Sequence, residues 1–253
     1  MTYATRLSFL FASGVVIASA SCGDDDPAEP AGEAPLTIAF EGRVADESLR
    51  LGSVTYAAAT APEGFRPTRV SFYLSGVELL TASGEAVPVA EVAYVEFDPA
   101  GAAQLTFDGV PVGSYEELRF RVGLSEAQDA TTPADYATDH PLGRASEYWV
   151  DWGSYIFLKL EGRSDTLADG RERFDAAYTY HVGRSAELAR TVTLPISIEV
   201  GPGAEEQSIG LDLAALLGLG EVDELPVVGV ADHRNGAAER IMDNVEGAFT
   251  PRS

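Results

Sequence analysis

Apolar and polar residues alternate along most of the chain from Leu36 onward. The clearest stretches are Leu36-Thr37-Ile38-Ala39-Phe40-Glu41, Val70-Ser71-Phe72-Tyr73-Leu74, Leu118-Arg119-Phe120-Arg121-Val122 and Ile156-Phe157-Leu158-Lys159-Leu160. The longest runs from Val192 to Val200 and places five apolar residues on one face. A period of two over this many segments predicts strands with one buried face. Gly84, Pro88, Pro99-Ala100-Gly101, Pro111-Val112-Gly113 and Gly201-Pro202-Gly203 punctuate them, and turn chemistry of this kind joins antiparallel neighbours. The expectation is an all-β chain, an immunoglobulin-like antiparallel β-sandwich.

Pro195 stands inside the longest alternating stretch and has no N–H for a ladder, so that strand is expected at an edge or with a bulge. Two segments follow a helical period instead. Leu211 to Leu219 reads as a short apolar turn or helix closed by Gly220. In 237–249, Ala238, Ile241, Met242, Val245 and Phe249 form one stripe, which predicts a short C-terminal helix capped by Asn235 or Asp232.

Ahead of the alternating region the pattern changes. Residues 1–21 carry Arg6, a nearly apolar Leu7 to Ala18, and Ser19-Ala20-Ser21 before Cys22, which reads as a signal peptide of the lipoprotein type with Cys22 as the cleavage and lipidation site. An ordinary secretory signal cut nearby is the alternative, and both export the chain. Residues 22–35 contain three consecutive Asp, several Pro and no aromatic residue, the composition of an acidic tether. Residues 36–253 are then the folded domain.

The chain has 253 residues, with 17 Lys and Arg against 40 Asp and Glu and a net charge of -23. So many carboxylates repel phosphate, which argues against nucleic acid as a partner and makes a lipid on Cys22 the only expected route to a membrane. A hydrophobic fraction of 45% is enough for a globular core. One Cys removes a disulfide framework and any Cys-rich metal site, and with three His and two Met the soft ligands are few.

No nucleophile elbow, phosphate loop or His-Glu-x-x-His motif occurs, and acid pairs in so acidic a chain identify nothing. Asp165 to Asp175 lacks the alternating acids of a calcium loop and reads as a solvated hairpin tip. What remains is a small set of imidazoles and indoles. His140 precedes Pro141, which holds it extended in a loop. Trp149 and Trp152 are the only two Trp, His181 ends an aromatic strand, and His233 precedes the last helix. Tyr178, Tyr180 and Val182 share one strand face, so His181 points away from the presumed core.

Several segments in order resemble the MbnP-like family. They are Phe72-Tyr73-Leu74-Ser75, Pro111-Val112-Gly113-Ser114-Tyr115, Leu118 to Gly123, His140-Pro141-Leu142, the run Glu147 to Gly162 with its Tyr-Trp and Gly-Ser-Tyr-Ile-Phe elements, His181-Val182-Gly183, and the helix after His233. The resemblance covers roughly 36–250. Members of that family are exported copper-binding proteins associated with methanobactin and with methanotroph cell surfaces. The resemblance implies one copper ion held by His side chains, with His140 and His181 at the family's motif positions and His233 as a third ligand. It also implies a Trp beside the metal, Trp149 or Trp152, oxidised to kynurenine by a diheme cytochrome c peroxidase-like partner. This chain departs from the pattern where Asp151 stands two residues after Trp149 and where Gly153-Ser154 are exchanged in order. Nitrogen ligands suit copper, and three His suit zinc as well. The implied protein is therefore a non-enzymatic, lipid-anchored copper binder of the periplasm or outer membrane surface. The alternative is a surface β-sandwich module that binds carbohydrate or protein on an aromatic platform of Tyr148, Trp149, Trp152 and Tyr155. An enzyme using a His–carboxylate pair has the least support.

Overall fold

A computed structural model describes residues 32–203, 206–232 and 236–252. In chain order its strands are β1 (Glu33–Val44), β2 (Glu47–Ser48), β3 (Tyr56–Ala58), β4 (Ala61–Leu80), β5 (Ala86–Glu96), β6 (Ala102–Pro111), β7 (Gly113–Val122), β8 (Tyr148–Trp149), β9 (Ser154–Ser164), β10 (Ala176–Gly183), β11 (Arg190–Val200), β12 (Gln207–Asp212), β13 (Val230–Asp232) and β14 (Phe249–Arg252). Helices are few: α1 (Glu126–Asp129), α2 (Leu213–Leu217), α3 (Gly236–Ala248) and some single 3-10 turns. The all-β expectation holds.

Two sheets form a sandwich. The smaller runs β14-β12-β1-β2 with β6 also on β1, and the larger runs β11-β7-β4-β9-β10-β13 with β3 and β5 on β4. Alternation does its work in β1, where Leu36, Ile38 and Phe40 are buried and their neighbours are less so. Between the sheets Phe40 of β1 meets Phe72 of β4 edge-on at 6.0 Å, and Phe72 meets Phe249 of β14 at 5.7 Å. Each such fully buried ring contributes roughly 1.5–3 kcal/mol. The sandwich is not wholly antiparallel. β1 runs parallel to β12, and β10 parallel to β13, because the chain between β10 and β14 crosses from one sheet to the other and returns through α2 and α3.

Pro195 has the predicted consequence. Among the described residues β11 pairs only with β7, and the register breaks between Pro195 and Ile198. α3 buries Ala238, Ile241, Met242 and Val245 as the stripe requires, while Phe249 has already passed into β14. Asp232 closes β13, and Asn235 lies outside the described residues. The short apolar piece is α2, whose N-cap is Asp212 and whose left-handed C-cap is Gly218, two residues before Gly220.

β4 organises the larger sheet. On one edge it pairs with β5, and on the other it pairs with β9 over 65–72 and with β7 over 74–80. β7 and β9 thus meet end to end beside Tyr73, and the chain joining them, residues 123–153, leaves and re-enters the sheet at that seam. Gly123 N–H donates to the Tyr73 carbonyl there, and Ser75 Oγ donates to the Gly123 carbonyl. The long connection has nowhere to go but across the outer face of the sheet.

Candidate functional site

That connection gives the sheet a second, smaller core on the face that alternation would leave wet. Tyr73, Tyr94, Leu124, Leu142, Tyr155 and Phe157 pack together there. β4 and β9 are consequently buried on both faces, Ser71 and Ser75 included. Tyr73 donates its phenol proton to the Pro141 carbonyl at 3.1 Å and Tyr155 to the Leu142 carbonyl at 2.8 Å, which fastens the connection to the sheet. Burial pushes the Tyr155 phenol up to about 12, and those of Tyr73 and Tyr94 higher still. Asp129, its carboxyl raised chiefly by burial, accepts from Ser154 Oγ and from the Tyr155 N–H.

Beneath the end of the connection lies a buried ion cluster. Glu147 is 1% exposed and Lys159, from β9, is 4% exposed. Lys159 Nζ lies 2.9 Å from Glu147 Oε2 and donates to the Ser146 carbonyl at 2.7 Å. Arg69 of β4 reaches both Glu147 at 2.9 Å and Glu96 at 3.0 Å. Charges so far from water persist only when paired and hydrogen-bonded. The cluster therefore pins the residue that precedes Tyr148 and Trp149.

From that anchor the chain enters β8, where Tyr148 pairs with Tyr155 and Trp149 with Ser154. It then turns sharply: the N–H groups of Trp152 and Gly153 both donate to the Trp149 carbonyl at 3.0 Å, and Gly153 has φ 64, which a side chain would disfavour. The turn folds Trp152 back on Trp149, with ring centroids 4.5 Å apart and planes within 10°. Val150, at the tip, is 82% exposed. Arg184 lies over the Trp152 ring at 5.6 Å.

His181 approaches this pair from β10. It sits opposite Lys159 on β9, within a regular strand rather than at its end, and its ring meets Trp149 edge-on at 5.8 Å. As the strand phase predicts, Tyr178, Tyr180 and Val182 are buried in the main core, and His181 faces the covered outer layer. Its Nε2 lies 2.7 Å from Oε1 of Glu161. A carboxylate can only accept, so Nε2 carries the proton. The hydrogen bond from His181 holds the Glu161 carboxyl below its ordinary value against the opposing cost of burial, helped by the charges of His181, Arg69 and Lys159.

His140 is placed differently. It is extended, as Pro141 demands, and caps the 3-10 turn 141–143, its Nδ1 accepting from the Leu142 N–H at 3.1 Å. Its ring stacks on Tyr136 at 4.4 Å. A neutral imidazole with Nδ1 so used carries its proton on Nε2, and in that state it has no lone pair to give a metal. Among the described residues no group of three or more His, Cys, Asp or Glu stands together as a metal cluster. His233 and Cys22 lie outside the described residues. The structure thus brings together His181, Trp149 and Trp152, and leaves His140 with Tyr136.

Glu161, Lys159, Glu147 and Arg69 are site residues that alternation alone passes over. A signal for them exists in β9: Tyr155, Phe157, Lys159 and Glu161 share one face, and two aromatics on a nominally wet face indicate that something covers it. The Asp165 to Asp175 loop is an exposed β9–β10 hairpin tip, as expected; Asp165 at its base is buried and accepts from the backbone of Leu167 and Arg173, while the exposed Asp175 accepts from Thr166.

Fold and site together define a β-sandwich protein that carries a covered layer on the outer face of one sheet, ending in a half-buried imidazole set against a tryptophan pair. A model of the MbnP family matches residues 33–236, and the chain belongs to that family. Among solved structures it is similar to MbnP from Methylosinus trichosporium, with 17% identity over 80% of this chain and 82% of that chain and a TM-score of 0.49. No curated protein matches it.

Proposed function

We propose that this protein is an exported, non-enzymatic copper-binding protein, held to a membrane by lipid on Cys22, with its metal taken at His181 beside the Trp149–Trp152 pair. The observation that carries the reading is the half-buried His181 imidazole, with one ring nitrogen fixed by a carboxylate and its edge against an indole. A metal-binding imidazole ordinarily has its second nitrogen held in this way. The residues fit such an ion in part. His181 offers a nitrogen donor suited to both copper states, His233 is the companion the family pattern supplies, and His140 would join only by giving up its Leu142 cap. Bound copper would supply redox chemistry next to the indoles. The chain's own part is to hold Trp149 and Trp152 in one stack and to shield them with the covered layer. Oxidation of one of them to kynurenine by a diheme peroxidase-like partner belongs to the same reading.

The carbohydrate-platform alternative is less favoured, because Trp149 and Trp152 each spend one ring face on the other. Copper titration of the exported protein tests the choice. Wild type takes up one equivalent, and His181→Ala loses that uptake; equal uptake by the variant would sink the copper reading at this site. Mass spectrometry of protein from its native host reports the modification, since kynurenine formation exchanges one carbon for one oxygen, a change of about 4 Da.

A further inference from the structure

At α1, where the covering connection begins, a cleft of about 510 Å³ lies over the outer face of β4, β7 and β11. Ser75 and Gly76 of β4, Arg119 and Arg121 of β7 and Thr191 of β11 line it from the sheet, and Ala127 lines it from α1. Gln128 Nε2 donates to the Glu91 carbonyl at 3.0 Å and so ties α1 to β5 beside the cleft. The register sets the charges here. From Arg119 to Arg121 is two residues on β7, but the partners Glu78 and Ser75 are three apart on β4, so β4 carries a bulge at Gly76, whose φ is 56. The bulge keeps Leu74, Val77 and Leu79 in the main core while Ser75 and Glu78 both fall on the outer face. Glu78 therefore meets Arg119, whose Nε and Nη2 donate to it at 2.9 and 2.6 Å. Arg121 instead stands opposite Ser75 on one side and Thr191 on the other, and neither is an acid. Among the described residues the half-buried Arg121 side chain has no ion pair, hydrogen bond or ring contact. The other arginines of the described strands each meet a carboxylate or, for Arg163, a carbonyl.

We propose that this cleft binds a small organic monocarboxylate, with Arg121 as its anchor. A guanidinium held in a concave face without an acid of its own presents a planar fork of N–H donors, which matches the two oxygens of a carboxylate. The Thr191 hydroxyl stands beside it as a further donor, whereas Ser75 Oγ has already given its proton to the Gly123 carbonyl. Glu91 lines the same cleft, and its carboxylate opposes a second negative charge on the ligand, which favours a monoanion over phosphate. The volume falls within the roughly 300–1,000 Å³ of small-molecule sites, and the Ala127 methyl gives an apolar body something to touch. The cleft shares no residue with the tryptophan pair, so it stands or falls independently of the copper reading.

The test follows the Nε–H signal of Arg121 and the amide signals of Gly76 and Ala127 in the 15N-labelled exported protein during titration with benzoate, benzamide and inorganic phosphate. Benzoate is expected to shift all three along one saturating curve. Benzamide, which keeps the ring and lacks the charge, and phosphate are each expected to bind at least about 10-fold more weakly. Read from the two amides, Arg121→Lys keeps the charge without the fork and should weaken benzoate about 10-fold, Arg121→Gln about 100-fold and Thr191→Val about 5-fold. Because the Arg121 side chain bonds nothing in the fold, both Arg121 variants should keep the wild-type unfolding midpoint and copper uptake. Shifts that never saturate, or benzoate binding retained in Arg121→Gln, overturn the proposal. Phosphate binding as tightly as benzoate overturns the monocarboxylate class.

Discussion

His181 and His140 are the same residue type on the same side of one sheet, and their partners set them apart. A carboxylate at Nε2 orients the His181 ring, while a backbone N–H at Nδ1 makes His140 a cap. His140→Ala is therefore expected to lower stability by about 1 kcal/mol, the worth of one hydrogen bond, and to leave copper stoichiometry unchanged in titration. The Glu161 carboxyl sits below its ordinary value of 4.5 in the folded protein, principally through the His181 hydrogen bond. A depressed carboxyl stabilises the fold above its unfolded value and loses that contribution as pH falls through the folded one. In urea unfolding, the difference in stability between wild type and Glu161→Gln should shrink as pH falls below about 4.5, and a difference constant with pH would count against the pairing. Neither role could be read from sequence, because the groups that assign them come from positions 20 residues away on β9 and two residues on in a turn.

Among the elements, β9 carries most of what positions the site. Its outward residues pack on the connection, and Lys159 ties that connection down at Glu147. Lys159→Met leaves a buried carboxylate with one cation fewer and should cost about 3–5 kcal/mol, read from the thermal or urea midpoint, with a changed tryptophan emission as β8 loosens. β10 meets β9 closely at Gly183, where a Cβ would strike the Tyr155 carbonyl oxygen and crowd the Trp152 ring. Gly183→Ala should therefore destabilise by about 1–3 kcal/mol and shift the same emission. The glycine of the His-Val-Gly segment is thus explained by a close approach of backbone, a reason that appears only when the two strands are paired. Alternation did predict the strands β1, β4, β7, β9 and β11, and it located the α3 stripe, since each of these rests on local period. It could not show that β4 and β9 are covered twice.

Across the whole molecule, a net charge of -23 gives no attraction to anionic lipid heads, so the proposed membrane attachment rests on lipid at Cys22. Cys22→Ser is expected to move the protein from the detergent phase to the aqueous phase on phase partitioning, and retention in detergent would contradict the anchor. The amino-acid sequence by itself determined the all-β class, the edge or bulge at Pro195, the helix before the last strand and the inventory of donors, because period, proline chemistry and composition are local properties. It also carried enough motif order to indicate the family. Only the tertiary structure decided which donors meet. The seam between β7 and β9 throws residues 123–153 over the sheet, and that layer sets a buried cluster beneath Trp149 and draws His140 to Tyr136, while the β9–β10 pairing puts a carboxylate beside His181. Such pairings depend on strand order and register, and these follow from the packing of residues far apart in the chain.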